Sequence, residues 1–147
     1  LVNHFGEFMT AKRILVSGAS RGIGRAICRR LAAEGAEITA CASSHPQELD
    51  ELVQEIRNAG GKVHSLLGDL SDPAVPARLV EAAAGLMGGL DALVSNAGIS
   101  RPAPLASLAL ADWELIFAVN TRAPAQLAQA AYPWLKQSRG SMVAVAS

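Results

Sequence analysis

Five short apolar runs, separated by stretches with helical spacing, constrain this chain more than any other feature. "RILVS" at 13–17, "EITACA" at 37–42, "KVHSLL" at 62–67, the core of "LDALVSNAG" at 90–98 and "SMVAVAS" at 141–147 each read as a strand. Alternation of strand and helix leaves room only for parallel strands joined by helical crossovers. Such strands are covered on both faces, which is why their runs are apolar throughout rather than at every second residue. The pattern predicts an α/β fold with a doubly wound sheet.

The intervening segments carry matching helix signals. In "GRAICRRLAAEG" (24–35), Ile27, Leu31 and Ala32 fall on one face and Gly35 is placed to cap the C-terminus. Pro46 opens "PQELDELVQEIRNAGG", whose Leu49, Leu52, Val53 and Ile56 form an apolar stripe. Asp72 with Pro73 is expected to start a third helix, and a long helical region is expected from about Asp112 to Gln137. There is no internal repeat and no low-complexity tract.

At 147 residues, a chain can bury roughly 70% of its unfolded surface in one core, so a single domain is expected. Thirteen Lys+Arg balance thirteen Asp+Glu, and the sequence offers neither a polybasic surface for nucleic acid nor a membrane-length apolar run. Cys28 and Cys41 lack metal-ligand or CxxC spacing, and His4, His45 and His64 are scattered, so no metal site is expected. The two thiols read as reduced core residues of a cytoplasmic protein.

The turn after the first strand reads "SGASRGIGRAI", with Gly18, Gly22 and Gly24. Glycines here let the chain turn sharply, bring backbone N–H groups to a pyrophosphate and seat the next helix close to the sheet. The spacing is G-x-x-x-G-x-G rather than G-x-G-x-x-G. Between a first strand and a first helix, it points to a dinucleotide site.

"SGASRGIG", "GDL" at 68–70, "SNAG" at 95–98 and "VN" at 119–120 follow one another in the order found in short-chain dehydrogenases/reductases. From Met9 to Ser147 the chain resembles that family, and in particular the N-terminal half or more of a β-ketoacyl carrier-protein reductase. The resemblance implies a Rossmann-type sheet with five strands in the order 3-2-1-4-5, as part of a longer fold. It implies that the loop with Gly18, Ser20, Arg21, Gly22, Ile23 and Gly24 cradles cofactor phosphates. Asp69, followed by Leu70, would meet the adenine, and Asn96, Ala97 and Gly98 the ribose side.

The end of the second strand bears on which cofactor fits. A NAD-preferring site places an acid there for the ribose 2′-hydroxyl, and that acid repels a 2′-phosphate. This chain reads "CASSH", with Ala42 where the acid aligns, then Ser43 and Ser44. Arg21 is placed to pair with a phosphate and Ser43 to donate to it. NADP(H) is therefore expected, with NAD(H) the lesser alternative.

For catalysis the resemblance implies that Asn120 holds a water in a proton relay and that Ser147 hydrogen-bonds the substrate oxygen. The family's Tyr and Lys would follow that serine. "YPWLK" supplies the same spacing, with Tyr132, the only tyrosine, and Lys136, but it precedes the fifth strand. A helix feeding a parallel strand ends at the strand's N-terminal pole, away from the site. Pro133 is moreover expected to turn Tyr132 away from a helical conformation. The pair is read as packing plus a solvated lysine.

Leu1 is not an initiator and Met9 opens "MTAKRILVSG", so residues 1–8 are expected to be a leader outside a dinucleotide-binding domain at 9–147. The final "GSMVAVAS" stops without a turn residue, which reads as an incomplete C-terminus. The expected activity is that of an NADP(H)-dependent oxidoreductase acting on a small carbonyl or alcohol, dimeric or tetrameric when whole and inactive as these residues alone. The rival reading is a half-length dinucleotide-binding protein acting as a sensor or partner subunit.

Overall fold

The structure, a computed structural model, describes residues 11–146. Strand β1 (Arg13–Ser17) leads through the glycine turn to helix α1 (Gly22–Ala33), then β2 (Glu37–Ala42), α2 (Pro46–Asn58) and β3 (Lys62–Leu67). Helix α3 (Val75–Met87), β4 (Ala92–Ser95), α4 (Leu110–Phe117), α5 (Ala123–Ser138) and β5 (Ser141–Ala144) follow. All pairings are parallel and the order is β3-β2-β1-β4-β5, as the sequence predicted. The proposed leader at 1–8 lies outside the described residues.

The period of two along each strand builds two cores. Ile14, Val16, Ile38, Ala40, Val63 and Val94 turn to one face, where they meet Cys28 of α1 and Leu49, Leu52, Val53 and Ile56 of α2. Leu15, Cys41 and Leu93 turn to the other, against α3 and against Ala123, Leu127 and Ala131 of α5. With both faces covered, strand residues of either parity must be apolar. A fully buried leucine such as Leu52 contributes about 1.5–3 kcal/mol. The two cysteines sit in opposite cores, and burial pushes the Cys28 thiol up to about 12 and raises that of Cys41 as well.

Helix ends follow their residues. Gly35, at φ 90°, takes the left-handed conformation after α1, and its N–H donates to the Ala32 carbonyl. Helix α3 begins at Val75, later than the expected Asp72–Pro73 start, because Asp72 stays outside the helix. Its Oδ1 accepts from the Ala74 N–H at 2.8 Å and its carbonyl from the Val75 N–H at 3.1 Å.

The long helix runs from Leu110 to Ser138 with a π-helical turn at Ala118–Arg122 that the sequence did not announce. The helix passes through Pro133, as the expected span to Gln137 requires, but Pro133 does not turn Tyr132 out of it, contrary to the expectation for that residue. Tyr132 is helical, and Leu127 and Ala131, with Trp134 and Leu135 beside them, hold this stretch against the second core. Packing of that face offsets the lost backbone hydrogen bond. After α5, Arg139 adopts φ 52° and Gly140 approaches Asp91 so closely that a Cβ there would lie 2.1 Å from the Asp91 carbonyl oxygen.

Asp91 also anchors the N-terminal pole of the sheet. Its carboxylate accepts from the Arg13 Nε, Nη2 and backbone N–H, each at 2.9 Å, while Arg13 Nη1 donates to the Gly88 carbonyl. These bonds hold Asp91 below and Arg13 above their ordinary pKa values. The opposite pole, where β1 to β4 end, is left open.

Candidate functional site

The sheet changes direction of growth at β1, which has β2 on one side and β4 on the other. In an open parallel sheet, the strand ends at such a switch point diverge and leave a crevice. Here that crevice is a cavity of about 680 Å³, lined from the C-terminal ends of β1, β2, β3 and β4 and the loops beyond them.

The glycine turn is fastened to the exit of β4. A Cβ on Gly24 would lie 2.1 Å from the Gly18 carbonyl oxygen and 2.5 Å from Asn96 Nδ2, and one on Gly18 would lie 2.7 Å from the Ala97 Cα. Asn96 Nδ2 donates to the carbonyls of Ser17 and Gly18 at 3.2 and 3.1 Å. Ser17 Oγ in turn accepts from the backbone N–H groups of Asn96 and Ala97. Gly22 differs: a side chain there would meet nothing, and its φ of 56° is what calls for glycine. Ser17 escaped the sequence reading, although a polar residue closing an apolar strand before a glycine was its signal.

Of the residues predicted for a cofactor, Gly18, Ser20, Arg21, Ile23, Ser43, Asp69, Leu70, Asn96, Ala97 and Gly98 line this one cavity. Gly22 and Gly24 lie behind the lining, in the turn that shapes it. Ser44, His45 and Arg101 also line it and were not among the predicted site residues.

Arg21 stands at the N-cap of α1 and is exposed. The other arginines of that helix are engaged, Arg25 and Arg29 with Glu55 and Arg30 with Glu34. Arg21 makes no ion pair or side-chain hydrogen bond among the described residues. Across the cavity, β2 ends at Ala42 and is followed by Ser43 and Ser44, with no carboxylate. His45 follows at φ 61°, ψ 57°, a left-handed conformation that costs a non-glycine residue about 1–2 kcal/mol, and Ser44 Oγ lies 2.8 Å from its Nδ1.

Asp69 combines the turn role with a free acceptor. Its Oδ1 accepts from the Ser71 N–H at 2.9 Å, while its Oδ2 has no partner among the described residues. Asn120 sits in the π-turn and grips Ile99, which lines the cavity. Oδ1 accepts from the Ile99 N–H at 2.9 Å and Nδ2 donates to its carbonyl at 2.8 Å. Ser147 lies outside the described residues.

Tyr132 and Lys136 share a face of α5, with Nζ 5.9 Å from the ring centroid, an arrangement that favours a cation–π contact. Neither lines the cavity, and α5 ends three residues before β5 begins, at the opposite pole. Among the described residues, no group of three His, Cys, Asp or Glu is placed to hold a metal, and no helix is long and apolar enough to cross a membrane.

The family described as short chain dehydrogenase has a sequence profile that matches residues 12–147. A 3-oxoacyl-(acyl-carrier-protein) reductase of Thermotoga maritima is 35% identical over 140 residues, covering 95% of this chain and 56% of the relative. Among solved structures, a short chain dehydrogenase from Burkholderia cenocepacia in complex with NADP matches with a TM-score of 0.82 and 40% identity, over 84% of this chain and 51% of that one. An NADH-dependent reductase responsible for alginate metabolism matches with a TM-score of 0.88 and 28% identity, over 94% and 59%. The chain spans about half the length of the curated relatives it matches.

Proposed function

The chain belongs to the short chain dehydrogenase family, and from that premise we propose that it forms the cofactor-binding part of an NADP(H)-dependent oxidoreductase acting on a small carbonyl or alcohol. Residues 9–147 serve as its dinucleotide-binding domain. The observation that carries the cofactor choice is Arg21, unpaired among the described residues at the rim of a cavity where Ala42, Ser43 and Ser44 stand at and after the β2 end in place of an acid. An arginine and a serine hydroxyl both donate to a phosphate, and a carboxylate at Ala42 would repel it.

The residues present fit a dinucleotide. Gly18 and Gly24 leave no room for side chains between the turn and β4, so the backbone N–H groups at the start of α1 are the groups offered to an anion. The bound dinucleotide would supply or accept the hydride. Asp69 Oδ2 accepts from the adenine amino group, and Asn96, Ala97 and Gly98 support the ribose side. Asn120 keeps the Ile99 segment in place beside the proton relay, and Ser147 hydrogen-bonds the substrate oxygen.

The acid that protonates that oxygen is not Tyr132, nor is Lys136 the lysine that tunes it, because both sit at the far pole. A polypeptide of these 147 residues therefore binds the dinucleotide without reducing a carbonyl. In the whole protein we assign a cytoplasmic homo-oligomer, dimeric or tetrameric, on the family resemblance.

Ala42→Asp tests the cofactor assignment. The substitution is expected to weaken NADPH binding while sparing or improving that of NADH. An unchanged ratio would refute the assignment.

A further inference from the structure

The π-turn that aims Asn120 at Ile99 also reaches a second loop. Arg122, its last residue, stands two positions on and faces another way. Its Nη2 donates to the Ser71 carbonyl, in the connection between β3 and α3. One turn later on the same helix face, Gln126 Nε2 donates to the Pro73 carbonyl at 3.2 Å. Among the described residues, these are the side-chain hydrogen bonds that reach Ser71–Pro73 from beyond that connection and α3.

Ser71 passes this hold on to the cavity. Its N–H donates to Asp69 Oδ1 at 2.9 Å, so the residue is held by its carbonyl and itself holds a carboxylate by its N–H. Asp69 is exposed and lines the cavity, with Oδ2 left without a partner among the described residues. An exposed side chain on a loop loses conformational freedom when it binds a ligand, and that loss weakens binding. A charged donor fixed on the Ser71 carbonyl removes part of that freedom before the ligand arrives.

We propose that Arg122, with Gln126 as a second tie, is a positioning residue for recognition of the adenine amino group, acting through Ser71 on Asp69. This rests on the assignment of that amino group to Asp69 Oδ2 above. Arg122 itself touches no cofactor. The π-turn thereby steadies both walls of the cavity, the Ile99 side through Asn120 and the Asp69 side through Arg122.

The test uses equilibrium binding of NADPH and NADH to the purified protein, each compared with its analogue in which hypoxanthine replaces adenine. Hypoxanthine carries an oxygen where adenine carries the amino group, so it presents Asp69 with an acceptor in place of a donor. The wild type is expected to bind the adenine member of each pair about tenfold more tightly, the scale of one hydrogen bond to a charged group. Arg122→Met keeps the apolar stem and removes the donors. It is expected to reduce the preference to about threefold or less while the analogues bind within about twofold of wild type, which also certifies the fold. Arg122→Lys, which restores a charged donor, is expected to recover the preference.

Equal losses for both members of each pair, or an unchanged preference in Arg122→Met, would overturn the role of Arg122. If Asp69→Asn removes the preference while Arg122→Met keeps it, this inference alone falls. If the wild type shows no preference for adenine, or Asp69→Asn retains it, the assignment of Asp69 fails and takes this one with it.

Discussion

Asn120 holds both backbone groups of Ile99, its Oδ1 accepting from the N–H and its Nδ2 donating to the carbonyl. The π-turn at Ala118–Arg122 is what places that amide opposite a loop twenty-one residues away. Such turns recur where a helix must aim one side chain at a site. Here it ties the long helix to the wall of the cavity.

Asn120→Ala removes both bonds. Because the groups are exposed, the expected loss is about 1 kcal/mol of global stability, with faster hydrogen exchange at the Ile99 amide. Unchanged exchange at Ile99 in the variant would show that the tether is not what orders this loop.

The three glycines of the first turn are not equivalent. Gly24→Ala and Gly18→Ala force a Cβ onto backbone at 2.1 and 2.7 Å, whereas Gly22→Ala meets only the strain of its φ. Urea denaturation is expected to rank Gly22→Ala as the mildest, at about 1–2 kcal/mol, and the other two as more costly and unable to bind dinucleotide. A ranking with Gly22→Ala as the worst would contradict the packing account.

The Arg13–Asp91 clamp predicts a pH dependence. The three hydrogen bonds from Arg13 depress the Asp91 pKa in the folded state, so the carboxylate binds its proton less readily there than in the unfolded chain. Its contribution is complete above the unfolded carboxylate value, near 4, and is lost as pH falls through the depressed folded value. Asp91→Asn is expected to cost about 1–3 kcal/mol at pH 7 and progressively less in acid below about pH 4. A difference between wild type and variant that stays constant down to pH 2 would exclude this origin.

Tyr132→Phe and Lys136→Ala are expected to leave kcat/KM of the whole enzyme within about twofold, the scatter of surface changes away from a site. A loss of a hundredfold in either would return the pair to the active site.

Much of this was legible in the residues. Strand runs such as "EITACA" announced a sheet covered on both sides, and the stripe Leu49, Leu52, Val53 and Ile56 announced α2, because burial imposes its period directly on the sequence. The glycine turn and "SNAG" were visible as motifs, and the cavity gathers most of the residues they contain. What stayed hidden depends on contacts across the chain. The clamp joins Arg13 to Asp91, seventy-eight residues apart, and Ser17 gains its role only where β1 meets the exit of β4. The helical region to about Gln137 was read correctly, but not the helical conformation of Tyr132 before Pro133, where local preference is outweighed by packing of Leu127 and Ala131. The left-handed His45 was not read from the sequence, since histidine, though enriched in that region, adopts it only in a minority of cases.

The most direct measurement for the central claim is the pair of dissociation constants for NADPH and NADH with the purified wild-type protein at fixed ionic strength. The account predicts saturable binding of both, with NADPH tighter by about tenfold or more, as expected for a charge-assisted contact to one added phosphate. Equal affinities, or tighter binding of NADH, would contradict it.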